Sequence, residues 1–283
     1  MPDDVDLFPP VRGFRGPHRF LSSFARTPVT VDGVTYRTLE HGFQAAKTED
    51  VKARAAVMAL RSPAAARLRG QTVPLRAGWD QQRLVVMARL LGAKFSDARL
   101  AAALLATGTG ELVEVNTWDD GYWGVCAGRG ENHLGRLLMA LRGELLAEFG
   151  PRQHGVRLAV VGSAARDFTP RTAVLARQRI SLAIWRLRPE VVISGGCPKG
   201  GVDIWARDIA GVYGYTTSGG DFVEHLPVHE RWAPDGYQAR NALIAADCSH
   251  LLRVAARASR TYGSGWTADQ AQRLGRLVVR QRL

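Results

Sequence analysis

The chain of 283 residues carries 38 basic and 26 acidic residues, a formal charge of +12, with 46% apolar and 23% charged residues. That length accommodates two domains that each bury a core, and the composition excludes disordered, collagen-like and membrane-embedded classes. No apolar run approaches a membrane span, the start MPDDVDLFPP lacks the regions of a secretory signal, and Cys126, Cys197 and Cys248 show no CxxC spacing, so a soluble cytoplasmic protein without disulfide framework or structural zinc is expected.

In chain order, TPVTVDGVTYR alternates and turns at Asp32-Gly33, which predicts a β-hairpin. Helical segments are then predicted over 38–48, 50–60, 63–69, 80–92, 97–106 and 132–148, the third with Ser62 as cap and Pro63 in the first turn. The result is a mainly helical α+β domain. At AEFGPRQHGVRLAVVG a helical pattern meets Gly150 and Pro151 and gives way to an apolar run, which puts the division at 1–152 and 153–283. Beyond it the text repeats strand, glycine turn and helix: RLAVVGS, a helix over 171–187, EVVISGG, a helix over 202–212, an extended piece over 214–224, a helix over 236–246, HLLRVA, a helix over 267–274, and RLVVRQ. Such alternation predicts an α/β Rossmann-like domain, a parallel sheet covered by helices on both faces.

Residues 1–150 hold 19 basic and 16 acidic residues and 151–283 hold 19 and 10, so the excess charge belongs to the second half. Its arginines are dispersed, as on a solvated surface, and remain compatible with an anionic backbone or a nucleotide.

TLEHGFQAAK, residues 38–47, sets Leu39, Phe43 and Ala46 on one helical face and Glu40, Gln44 and Lys47 on another, so one face can pack and the other can work. Alone it also fits a partly exposed helix with a polar stripe. Only four of the 38 basic residues are lysines, and one closes this stretch. Downstream, TWDDGYWGVCAGRGENHLG combines carboxylates, aromatics and glycines without apolar periodicity and reads as a ligand-facing loop.

The order FRGPHRFLSSF, VDGVTYRTLEHGFQAAK, SPAAARLRG, LRAGWD, VMARLLGAKF, LLATGTGELVE, DDGYWG and ENHLGRLLMALR resembles the NADAR family of N-glycosidases over residues 13–148. The resemblance implies a small helical α+β enzyme without metal or cofactor that hydrolyses N-glycosidic bonds at ribose, in phosphoribosylated intermediates or in ADP-ribose attached to guanine. It assigns catalysis to Glu40, Lys47 and Asp120, and substrate binding to Phe20, Ser23, Gln44, Trp79, Trp123, Gly124 and Asn132. Two positions depart from the family: Ser23 stands where an amide is usual in LSNF, and Val125 follows WG in place of a polar residue. That chemistry asks for a carboxylate near the sugar and a proton donor near the base, while a desolvated lysine can attack carbon or act as a charged donor. Lys94, equally rare, is the alternative structural lysine.

In the second half, RLAVVGS ends in a turn at Gly162-Ser163 and VVISGGCPKGGVDIWARDIA runs from strand through glycines into a helix, a layout that favours an anion at the helix start. Together with YQARNALIAADCSHLLRV and YGSGWTADQAQ it resembles the SLOG superfamily over residues 156–282. The resemblance implies a nucleotide site at Gly162, Ser163, Gly195, Gly196, Gly201, Asp203, Arg240, Asn241, Gly265 and Thr267. The third block lacks the glycine pair and glutamate of the hydrolase members, which points to binding over hydrolysis there.

The combined expectation is an N-glycosidase acting on an ADP-ribosyl or phosphoribosyl substrate, with a second domain holding a nucleotide or NAD-derived ligand. The alternative is a non-catalytic sensor of NAD- or ADP-ribose-derived ligands in stress or phage defence. A ribose-nucleotide substrate is the expected partner, nucleic acid and self-association through the second domain stay open, and no membrane partner is expected.

Overall fold

The computed structural model describes residues 7–259 and 262–283; the acidic start over residues 1–6 and the Arg260-Thr261 step lie outside them. The chain forms two compact units, one of residues up to Leu104 with Gly110–Ala147, the other of Leu105–Thr109 with Glu148–Leu283. The expected division lay at 152/153, a few residues beyond Glu148.

In the first unit, β1 (Val11–Arg12) is followed by a 3-10 turn over Gly16–Leu21 and the hairpin of β2 (Val29–Val31) and β3 (Val34–Tyr36). Its two turn residues, Asp32 (φ 52°) and Gly33 (φ 74°), are both left-handed, the backbone that matches strand twist in a two-residue loop. Helices α1 (Leu39–Ala46), α2 (Val51–Ala59), α3 (Pro63–Gly70), α4 (Trp79–Phe95) and α5 (Ala98–Leu105) follow. Thr38, Asp50 and Ser62 cap the first three by accepting backbone N–H bonds, which ends the competition between helix and turn at those serine-, threonine- and aspartate-rich joints. Short strands β4 (Leu112–Val113), β5 (Val115–Asn116) and β6 (Val125–Cys126) then lead to α6 (His133–Ala147), with β1 parallel to β4 and β5 parallel to β6. Helix α1 departs from its amphipathic pattern, since Leu39 through Ala45 are all buried and the polar stripe faces an internal cavity instead of solvent.

The second unit contains β7 (Gln153–Gly162), α7 (Pro170–Leu187), β8 (Pro189–Ser194), α8 (Val202–Val212), β9 (Phe222–Glu224), α9 (Tyr237–Asp247), β10 (His250–Ala255), α10 (Gly263–Arg273) and β11 (Leu277–Arg282). The five strands pair in parallel in the order β11-β10-β7-β8-β9, compatible with the expected α/β domain. Helices α9 and α10 cover the face carrying Ala159, Val161, Val191, Ile193 and Leu251, while the alternate residues Leu158, Val160 and Val192 are equally buried. Burial on both faces is why these strands read as unbroken apolar runs. The strand order reverses between β7 and β10, which places a crevice at their carboxyl ends. Helix α10 starts at Gly263, four residues before the expected start, and of the extended piece over 214–224 only β9 pairs.

Candidate functional site

In the first unit, capping by Thr38 fixes the start of α1 and sets Glu40 in its first turn, near the positive end of the helix dipole. Ser23 grips Glu40 twice: its carbonyl accepts the Glu40 N–H at 3.1 Å, and its Oγ donates to Glu40 Oε2 at 2.8 Å. One helical turn on, Gln44 Nε2 donates to Glu40 Oε1 at 2.8 Å. Glu40 is only 6% exposed; burial pushes its carboxyl above the usual range, opposed by the bonds from Gln44 and Ser23 and by the nearby charges of Arg67 and Lys47. Both oxygens are thus held by donors, an arrangement suited to a carboxylate of fixed direction.

Lys47 caps the C-terminus of α1, with Nζ 3.3 Å from the Gly70 carbonyl and 5.8 Å from the centre of the Phe43 ring. Burial pushes its amine below the ordinary lysine value, against the attraction of Glu40. Desolvation therefore moves both members of the pair toward neutrality, while their mutual attraction restrains it.

The loop after β5 brings in the third group. The Asn116 side chain clamps Asp120, accepting its N–H at 3.1 Å and donating to its carbonyl at 2.8 Å, and Asp120 Oδ1 in turn accepts the Trp123 N–H at 2.9 Å. Trp123 then stands with its ring centroid 5.1 Å from that of Phe43, whose other neighbour is the buried Trp79 at 5.2 Å.

These pieces surround one cavity of about 430 Å³. Of the residues expected there, Ser23, Glu40, Gln44, Lys47, Asp120 and Trp123 line it. Phe20, Trp79, Gly124 and Asn132 do not: Phe20 packs edge-on to Phe95, and Trp79 backs Phe43. Gly124 leaves room for the Glu114 carbonyl, which a Cβ would approach to 2.3 Å. Asn132 laces the start of α6 to the preceding strands, donating to the Leu112 carbonyl at 2.8 Å and accepting the Glu114 N–H at 3.1 Å. Ser23, expected to meet substrate directly, spends its hydroxyl on Glu40. Sequence reasoning missed Glu114, Asn116, Trp118, Arg15, Arg19 and Arg67, all of which line the cavity. Trp118 lies in the loop that reads as ligand-facing, and Glu114 is an acid directly after the apolar pair Leu112-Val113; the others carry no local signal.

Lys94 is the structural lysine of the two. It is 2% exposed, does not line the cavity, and donates to the Ser22 carbonyl at 2.9 Å, steadying the turn that presents Ser23. Burial, assisted by Arg19, pushes its amine down to about 7. An unfolded lysine keeps its proton to about pH 10.4. Between pH 7 and 10 the unfolded chain therefore binds the extra proton, and stability rises with pH through that window. Urea midpoints of the wild type at pH 7 and pH 9 should show this gain, and Lys94→Met should lack it; parallel pH dependences would show that the amine stays charged in the fold.

The second unit holds a second cavity of about 430 Å³ at the crevice beside β7. Gly162, Ser163, Asp203, Arg240, Asn241 and Thr267 line it, as do the unforeseen Arg166, Lys199, Glu230, Trp232, Tyr237 and Tyr262. Gly195, Gly196, Gly201 and Gly265 lie outside its lining. Gly195 makes room for Arg240, whose Nη1 a Cβ would approach to 1.9 Å, and Gly201 (φ 92°) turns the chain into α8 against Ser163. Arg240 Nη1 donates to the Gly195 carbonyl at 2.5 Å and lies 3.6 Å from Asp203 Oδ2, while its buried Nε has no partner. Burial lifts Asp203 to about 6, with Arg240 pulling the other way. No side chain caps α8, α9 or α10; the first amides of α8 and α9 donate to backbone carbonyls instead, Val202 to Ser163 at 3.2 Å and Tyr237 to Arg231 at 2.9 Å, while Gly263 and Ser264 at the start of α10 line the cavity.

Among the described residues no group of three or more His, Cys, Asp or Glu could hold a metal ion, and no helix is long and apolar enough to cross a membrane. The family model for the NADAR domain matches residues 13–146. N-glycosidase YbiA of Escherichia coli strain K12 is 47% identical over 131 residues, covering 45% of this chain and 81% of that protein. An N-glycosidase of Nostoc punctiforme is 34% identical over 136 residues, covering 46% of this chain and 86% of that protein. A riboflavin biosynthesis protein of Vibrio vulnificus is 39% identical over 132 residues, or 45% of this chain and 36% of that protein. These similarities all fall short of half of this chain, and the two N-glycosidases are matched over most of their length. Through its first unit, the chain belongs to the NADAR family.

Proposed function

We propose that the first unit hydrolyses a ribose N-glycosidic bond in an ADP-ribosyl substrate, such as ADP-ribosylated guanine, or in a phosphoribosyl substrate, and that the second unit, a SLOG-like domain, binds a nucleotide or NAD-derived ligand. The observation that carries this reading is Glu40, its two oxygens held by Ser23 and Gln44 in a cavity shared with Lys47, Asp120 and Trp123. Loss of the base leaves positive character on the anomeric carbon, which an oriented carboxylate stabilises because it needs no reorganisation during the reaction. Trp123 offers a ring to the base. The lowered basicity of Lys47 suits an amine that attacks the same carbon and forms a Schiff-base sugar adduct, which water then cleaves. In the second unit the support is the crevice where the strand order reverses, lined by the cations of Arg166 and Lys199 and by the start of α10 at Gly263 and Ser264.

Incubation with DNA carrying ADP-ribosylated guanine, and separately with aminopyrimidine ribose phosphates, is expected to release free base in one of the two. Borohydride added during turnover should trap a sugar adduct on the wild type and none on Lys47→Ala. Turnover without a trapped adduct would confine Lys47 to an electrostatic role. Binding of both ligand classes without released base would overturn the catalytic reading in favour of a sensor.

A further inference from the structure

Glu114 belongs to the first cavity but has no role in the reaction as described so far. Its backbone is fixed on both sides, by the bond from its N–H to Asn132 Oδ1 at 3.1 Å and by the Val125 N–H donating to its carbonyl at 2.8 Å. The Phe14 N–H reaches its carboxyl, Arg15 and Arg19 face it from the N-terminal segment, and Asp120 faces it from the loop. Its Oε2 is buried and has no hydrogen-bond partner. With no donor on that oxygen to offset the lost hydration, burial costs the anion more than the neutral acid. Burial lifts this carboxyl to about 7; Asp120 pushes the same way, and the Phe14 N–H and the two arginines oppose it. Glu40 differs in having a donor on each oxygen. Two carboxyls of one cavity with such different partners are suited to opposite protonation states, and hence to separate acid and charge-stabilising roles.

We propose that Glu114 is the acid that protonates the departing base, an assignment that rests on the N-glycosidase reading above. The C1′–N electron pair moves onto the base as the bond breaks, and the Glu114 O–H proton passes to the base. The carbon accepts the Lys47 amine or water. Water supplies the final hydroxyl on C1′, and its other proton restores the Glu114 carboxylic acid, so that riboside and water become free sugar and free base.

The test compares Glu114→Gln with wild type on two ribosides of the same sugar phosphate. One carries an amine-linked base that must be protonated to leave, the other a pyridinium that departs neutral. Glu114→Gln should lose about 10²–10⁴-fold in kcat on the first and less than about tenfold on the second. The wild-type kcat/KM on the first should fall above a pH of about 7, a limb that Glu114→Gln lacks and the slower Glu114→Asp keeps. Equal losses on both ribosides, or an unchanged alkaline limb in Glu114→Gln, would mark a structural residue and overturn the assignment. A wild type inert on every riboside would overturn the reading of function itself.

Discussion

Glu40→Gln is expected to lower kcat for base release by about 10³-fold, the scale on which a single preorganised electrostatic group acts on a developing charge. The substitution keeps the shape of the side chain. The new amide can turn its oxygen toward Gln44 Nε2 and its NH₂ toward Ser23 Oγ, a hydroxyl able to accept as well as donate. The buried carboxyl is held above its usual range, so the native fold binds a proton more readily here than the unfolded chain does, and the charge costs stability as pH rises toward neutrality. Removing that charge should therefore leave the melting temperature unchanged or higher. Loss of rate together with retained or raised thermal stability separates this outcome from misfolding. Activity within tenfold of wild type would remove Glu40 from the reaction.

The second large effect is on stability. Arg240→Ala strips a buried guanidinium from Asp203 and from the Gly195 carbonyl, and breaking a buried pair from one side costs about 3–5 kcal/mol. The loss should depend on pH with a definite sign. Asp203 has a folded value of about 6, above that of an unfolded aspartate, so the fold binds the extra proton and its stability declines as pH rises through that window. Without Arg240 the folded value climbs further and the decline extends to higher pH. Arg240→Ala should therefore be more damaging at pH 8 than at pH 5, and adding Asp203→Asn should recover part of the loss at pH 8. Hydrogen exchange of the β7 and β8 amides in the full chain reads this opening locally. An equal loss at both pH values would show that the carboxyl of Asp203 does not feel the arginine.

Much of the fold was legible because local signals and packing agree. Asp32-Gly33 demands a hairpin, Ser62-Pro63 starts a helix, and the apolar runs at 158–161 and 191–193 suit strands buried on both faces. Helix α10 was misplaced at its start because YGSGWT offers no side-chain cap and carries two glycines, which local propensity reads as turn. The opening half of the candidate site was legible for a related reason: Glu40, Gln44 and Lys47 share one helical face, so their proximity follows from chain geometry alone. Glu114, Arg15, Arg19 and Arg67 reach the same cavity from three other segments, and no local pattern encodes which side of a short strand or loop faces inward.

The sequence by itself determined the two-part organisation, the family of the first part, the parallel α/β character of the second and the spacing within α1, because each is written in periodicity, turn chemistry or ordered motifs. Only the tertiary structure decided that Ser23 serves Glu40, that Trp79 and Asn132 hold the frame outside the cavity, and that Lys47 lines the cavity while Lys94 is buried away from it against the Ser22 carbonyl. The physical reason is that burial and hydrogen-bond partners are set by contacts distant along the chain, and those contacts decide whether a polar side chain meets a ligand or another part of the protein.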